Sequence, residues 1–242
     1  MSGTKFDFKG EIKELAKNKN FFWISVCFML MYGFYTTIGA IINTMVNPYG
    51  YTASDSGIFG ACFIFSGLVG SFIQGALLDK YGKYLLLLKG ICFGVLFFFL
   101  GFFYTLRERG DDNTNMIVLT FNVAIIGFLL LPIIPLGYGF SIELTYPVSE
   151  AMSNGVLMLW SQMAGSLLTF VGSWLCEQNP RYILYMFFVQ VSLGCLASCM
   201  ITEDLRRVNL TKNKDQKILP DSEYMELPQK EFKEKLHEDA EK

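Results

Sequence analysis

Three features of the chain predict an all-α integral membrane protein with six transmembrane helices. Hydrophobic residues make up 52% of its 242 positions and charged ones only 17%, too apolar a balance for an ordinary soluble domain of this length. Mainly apolar stretches of about 20 residues, the length that crosses a bilayer as a helix, recur between Phe21 and Ile201. The charges are segregated, basic at the start, mixed at the end and sparse between, so the net charge of -2 says little by itself. The predicted organisation is a basic amphipathic linker over 1–20, a six-helix bundle over 21–202 and a mobile tail over 203–242.

Taken in order, the linker carries Lys5, Lys9, Lys13, Lys17 and Lys19 with amphipathic spacing, which suits a short helix on a membrane surface rather than a signal peptide. The first span, Phe21 to Val46, has no charge and ends at the turn-rich Asn47-Pro48-Tyr49-Gly50-Tyr51. The second, Ala53 to Leu78, is threaded with Gly57, Gly60, Gly67, Gly70 and Gly75, small residues that let helix backbones approach closely in lipid. A polar turn, Asp79-Lys80-Tyr81-Gly82-Lys83, leads into the third span, Tyr84 to Leu106, and Arg107 to Asn115 forms a charged loop. The fourth span, Met116 to Ile142, holds Pro132 and Pro135, which remove backbone donors and predict a kink between Leu131 and Gly139. The fifth runs from Ser149 to Cys176 and the sixth from Tyr182 to Ile201. The remainder is charged and broken by proline, with a transient helix expected over Gln229 to Lys242.

Six spans put both ends on one side. Lysines of the linker, Lys80 and Lys83 of the second turn, and Arg206 and Arg207 after the last span assign that side to the cytoplasm. The sequon at Asn209 then lies on the wrong side for glycosylation. Six cysteines sit in or beside apolar runs without a C-x-x-C pair, and the single histidine, His237, lies in the tail. No metal centre, disulfide framework or cofactor is indicated. Neither a nucleic-acid-binding motif nor a hydrolase or metalloprotease signature occurs, so an enzyme is the weakest reading.

Between the fourth and fifth spans lies a polar hinge with Glu143, Tyr146, Pro147 and Glu150. A carboxylate at mid-bilayer costs roughly 3 kcal/mol on insertion scales, so these belong at a surface or in a hydrated, protein-lined place. Two readings of the pair stand side by side: closing of an inner gate, and helix-end carboxylates with Glu150 stabilising the start of the fifth span.

Gly75-x-x-x-Asp79-Lys80-x-Gly82-Lys83 resembles the cytoplasmic-loop motif of the major facilitator superfamily, which falls between the second and third helices of a six-helix half, as it does here. Gly33-Phe34-Tyr35, Asn43, Pro135-Leu136-Gly137, Gln162 and above all the E-L-T-Y-P-x-S-E-x-x-S-x-G core from Glu143 to Gly155 are similar to the feline leukemia virus subgroup C receptor (FLVCR) family, specifically its helices seven to twelve. The similarity runs from Asn20 to Arg207. It implies a facilitator moving a small organic solute across a lipid bilayer, with choline or ethanolamine ahead of haem. It also implies Tyr35 and Gln162 as solute-binding residues, with Asn43 beside them, and a gate shaped by Asp79, Lys80, Gly82, Glu143, Tyr146, Pro147 and Glu150.

The chemistry suits these residue types. A quaternary ammonium is drawn to an aromatic face, and an amide orients a hydroxyl. Without the resemblance, Tyr35 is one tyrosine among 12 and Gln162 is interhelical glue. One departure stands out: Gly139 occupies a position where many members carry a glutamate ahead of E-L-T-Y-P. Another is the absent first half, for which a truncated sequence is favoured over pairing with a separate six-helix polypeptide or a second copy; a non-transporting membrane partner is the rival reading.

Overall fold

The computed structural model describes residues 8–106 and 114–202. The expected Arg107–Asn115 loop lies largely outside them, and the tail, its transient helix, His237 and the Asn209 sequon lie wholly outside. Eight α-helices are described: α1 Phe8–Lys17, α2 Lys19–Val46, α3 Ala53–Tyr81, α4 Tyr84–Thr105, α5 Thr114–Leu130, α6 Ile133–Thr145, α7 Glu150–Gln178 and α8 Pro180–Met200. With α5 and α6 taken together, six segments are long and apolar enough to cross a membrane.

The helix ends are set by local chemistry. Asn18 caps α2, its Oδ1 accepting from the N–H groups of Asn20 at 3.0 Å and Phe21 at 3.1 Å. The same side chain donates through Nδ2 to the Leu144 carbonyl at 2.8 Å, tying the start of α2 to the end of α6. Thr52 and Asp55 form a reciprocal capping box at the start of α3. The Asp55 carboxylate is thereby accommodated at the start of a helix whose other charges, Asp79 and Lys80, lie at its far end. Gly82, in the left-handed region at φ 61°, closes α3 by donating to the Leu78 carbonyl at 2.7 Å. The Asn47–Tyr49 turn is a short 3-10 segment closed by Gly50 at φ 85°.

Lying at the centre is α2, with Ile24, Cys27, Phe28, Met31, Phe34 and Ile38 buried against its neighbours. Phe34 meets Phe99 of α4 and Phe187 of α8 edge-on, at centroid distances of 5.6 and 4.9 Å. The glycines of α3 divide into two sets. A Cβ on Gly67 or Gly70 would run into Gly127 and Phe128 of α5 and Leu131 just beyond it, whereas Gly57, Gly60 and Gly75 have nothing within 4 Å. The α3–α5 seam is therefore the close backbone approach, reinforced by Ser66 Oγ donating to the Ala124 carbonyl at 2.6 Å. Of the five glycines expected to allow close backbone approach, Gly67 and Gly70 do so.

The fourth span breaks at Leu131-Pro132, the near edge of the predicted kink. Pro132 has no N–H to offer the Phe128 carbonyl, and Gln74 of α3 supplies a donor instead, its Nε2 3.2 Å away. Pro135 is harmless where it falls, in the first turn of α6, where no intrahelical donor is required.

Candidate solute site and inner gate

The site begins with a glycine pair. Gly33 of α2 faces Gly165 of α7 so closely that a Cβ built on Gly33 would lie 3.6 Å from the Gly165 Cα. This approach brings Gln162, one turn before Gly165, against α2, where its Nε2 donates to the Tyr32 hydroxyl at 3.0 Å. Gln162 is exposed and Tyr32 buried, so a firm phenol holds a reachable amide.

Tyr35, one turn along α2, joins the same assembly through its ring. It stacks on Phe63 of α3 at 5.8 Å and tilts against Tyr32 at 6.0 Å. Tyr32 in turn stacks on Phe28 at 5.7 Å, with the planes 8° apart, and Phe28 meets Tyr138 of α6 at 5.9 Å. The result is a continuous run of rings from α3 through α2 to α6 with Gln162 at its flank. Gln162 also lines a groove of about 530 Å³ between α2 and α7 with Thr36, Ser166, Thr169 and Ser173, whose hydroxyls give it a polar wall.

Asn43 is not brought to this place. It sits near the far end of α2, two turns beyond Tyr35, and its Oδ1 accepts from Ser56 of α3 at 2.9 Å. Tyr32 and Tyr138, by contrast, belong to the ring assembly and carried no signal in the sequence. Only the fold reveals that Tyr32 meets a residue 130 positions away.

The expected gate residues gather at the opposite end from the Asn47 turn, though not in one cluster. Asp79 lines a cavity of about 210 Å³ with Gln74, Leu87, Pro132 and Pro135, while Lys80 lies exposed with its Nζ 5.4 Å from the Tyr81 ring centroid. Glu143 lies inside α6 rather than in the hinge proper, and its Oε2 is shielded from solvent with no hydrogen-bond partner among the described residues. Residues 146–149 form the actual break, with a cis peptide at Tyr146-Pro147. Glu150 opens α7, where a carboxylate meets the positive end of the helix dipole. Side-chain bonds bind the hinge, Thr145 Oγ1 to Ser153 Oγ at 2.6 Å across it and Ser149 Oγ donating to Glu11 of α1 at 2.6 Å.

No protein-family model matches the chain. It is 29% identical over 223 residues to the choline/ethanolamine transporter FLVCR1 of Felis catus, covering 90% of this chain and 39% of that one. It is 27% identical over 207 residues to the choline/ethanolamine transporter FLVCR2 of Homo sapiens, with 84% and 38% covered, and 26% identical over 204 residues to an uncharacterized MFS-type transporter of Caenorhabditis elegans, with 83% and 34% covered. This chain is a homologue of the FLVCR transporters. Its six apolar segments make it a multi-pass membrane protein, and it spans less than half the length of these FLVCR relatives.

Gly139 lies close against a ring. A Cβ on Gly139 would stand 3.1 Å from the ring of Tyr84, which stacks on Phe140 at 5.6 Å. A side chain at this position therefore starts in tight contact with that ring.

Proposed function

We propose that this chain forms the second six-helix half of an FLVCR-type facilitator that carries choline or ethanolamine across a membrane, with both of its ends in the cytoplasm. The observation that carries this reading is the Tyr32–Gln162 hydrogen bond beside the Tyr35 ring, an aromatic surface and an oriented amide side by side on membrane-spanning helices. A quaternary ammonium carries no N–H and is held by ring faces, and its hydroxyl suits the amide. Relatives named as choline/ethanolamine transporters support the solute class.

The second bundle that alternating access requires would cover the large apolar side chains that α3 and α7 turn outward, among them Phe65, Phe72, Trp160 and Phe170. At the cytoplasmic end, Asp79, Lys80 and Gly82 of the α3–α4 turn, with Glu143, Tyr146, Pro147 and Glu150 around the hinge, form the inner gate in this scheme. The unmet Glu143 Oε2 is the acceptor for a donor from the other bundle when the gate shuts.

The test is uptake of labelled choline by cells expressing the complete gene product. Saturable uptake is expected, reduced at least tenfold in kcat/KM by Tyr35→Ala combined with Gln162→Ala at equal surface amount, the loss expected for a cation–π contact plus a hydrogen bond. Uptake indifferent to both substitutions would remove the proposed site.

A further inference from the structure

We infer that Tyr32 is a positioning residue for solute selectivity: it fixes the amide of Gln162 in advance, so that the site prefers solutes bearing a hydroxyl over hydroxyl-free quaternary ammonium ions. The inference rests on the proposed transport reading and deepens it. Glutamine has three side-chain torsions, and an exposed one loses that freedom when a solute engages it. Gln162 is exposed, yet its Nε2 is already committed to the Tyr32 hydroxyl at 3.0 Å. Holding a group in its bound orientation before binding lowers the cost of binding.

Tyr32 is equipped to hold. It is 7% exposed, clamped between the parallel ring of Phe28 and the tilted ring of Tyr35, so its phenol has little room to swing. The helix approach that sets its distance to α7 comes from Gly33 and Gly165, which flank the pair on the two helices. With one Nε2 N–H engaged, the amide keeps Oε1 as its acceptor and a second N–H as a donor, and Gln162 lines the groove between α2 and α7. An acceptor at the edge of an aromatic surface recognises an O–H or N–H donor. A tetramethylammonium ion offers the rings the same cation and the amide nothing.

The experiment compares initial choline uptake, and its inhibition by tetramethylammonium, in cells expressing the complete gene product as wild type, Tyr32→Phe, Gln162→Ala and the double variant, each normalised to surface amount. Tyr32→Phe keeps the ring and removes only the hydroxyl. The expected result is a choline KM raised about 3- to 10-fold with maximal rate per surface copy unchanged, and an unchanged inhibition constant for tetramethylammonium. In the Gln162→Ala background the same substitution should have no further effect on KM. A merely structural role would lower the surface amount or shift both constants alike, and either outcome overturns the inference, as does a Tyr32→Phe variant indistinguishable from wild type. A wild-type protein with no saturable choline uptake overturns the transport reading itself and is recognised before any variant is compared.

Discussion

Helices α2 and α7 are close neighbours of similar length and hydropathy, and they are used in opposite ways. In their most apolar stretches 56% of the residues are buried in the first and 22% in the second. Most large residues of α2 are buried or half-buried, with Phe22 exposed near its start. In α7 the residues buried after Leu157 are small, Ser161, Gly165, Gly172 and Cys176, while Trp160, Met163, Leu167, Phe170 and Trp174 face outward at alternating spacings of three and four. Hydropathy reports residence in a membrane, because lipid and protein interior are equally apolar. Which face packs within the chain is reported instead by side-chain size, since close approach in lipid depends on small residues.

The sharpest test of that contrast truncates the same residue type on each helix. Phe34→Ala removes a fully buried ring from contact with Phe99 and Phe187, and should cost about 3 kcal/mol, the low end for such truncations because lipid contributes little transfer term. Phe170→Ala, at 75% exposure, should change the stability of the isolated chain by less than about 0.5 kcal/mol. Unfolding in detergent micelles, followed by circular dichroism, measures both. Equal losses would mean that α7 is as firmly enclosed as α2, contrary to the fold described.

A somewhat smaller effect is expected where the two helices touch. In Gly165→Leu the first added atom already stands 2.9 Å from Thr36 Oγ1, and the rest of the side chain must wedge α7 away from α2. Overpacking of this kind costs about 1–3 kcal/mol. Gly57→Leu, with nothing within 4 Å, serves as the control in the same melts and should leave stability nearly unchanged. The wedge should also part Gln162 from Tyr32, so under the proposed function choline uptake by the complete gene product would fall further than the change in surface amount accounts for.

These contrasts mark what the sequence could and could not convey. Six spans, the Gly82 turn and a break near Pro132 were legible because each depends on local chemistry: a run of apolar residues, a left-handed backbone, a missing donor. The division of the α3 glycines was not, since spacing of three or four defines a face without saying what lies opposite. Gln162 was marked by its family resemblance, yet its partner Tyr32 was hidden among the tyrosines because the pairing depends on how α2 meets α7. Asn43 shows the reverse case, a polar residue in an apolar span whose Oδ1 accepts from the Ser56 hydroxyl of α3, away from Tyr35 and Gln162.

The smallest expected difference lies at the starts of the same two helices. The Asn18 side chain accepts two N–H groups at the head of α2 and donates to the buried Leu144 carbonyl, whereas Ser149, in the capping position of α7, makes no side-chain cap bond and gives its hydroxyl to Glu11. Asn18→Ala should therefore cost about 1–2 kcal/mol, combining a lost cap with an unpaired carbonyl. Ser149→Ala should cost about half a kcal/mol, the loss of one partly exposed bond. Hydrogen–deuterium exchange at residues 19–22 separates the two: faster exchange there is expected for Asn18→Ala and none for Ser149→Ala. If Ser149→Ala proved the more damaging, the α1 contact rather than the cap of α2 would be what anchors this end of the bundle, and the order of importance of the two helix starts would be reversed.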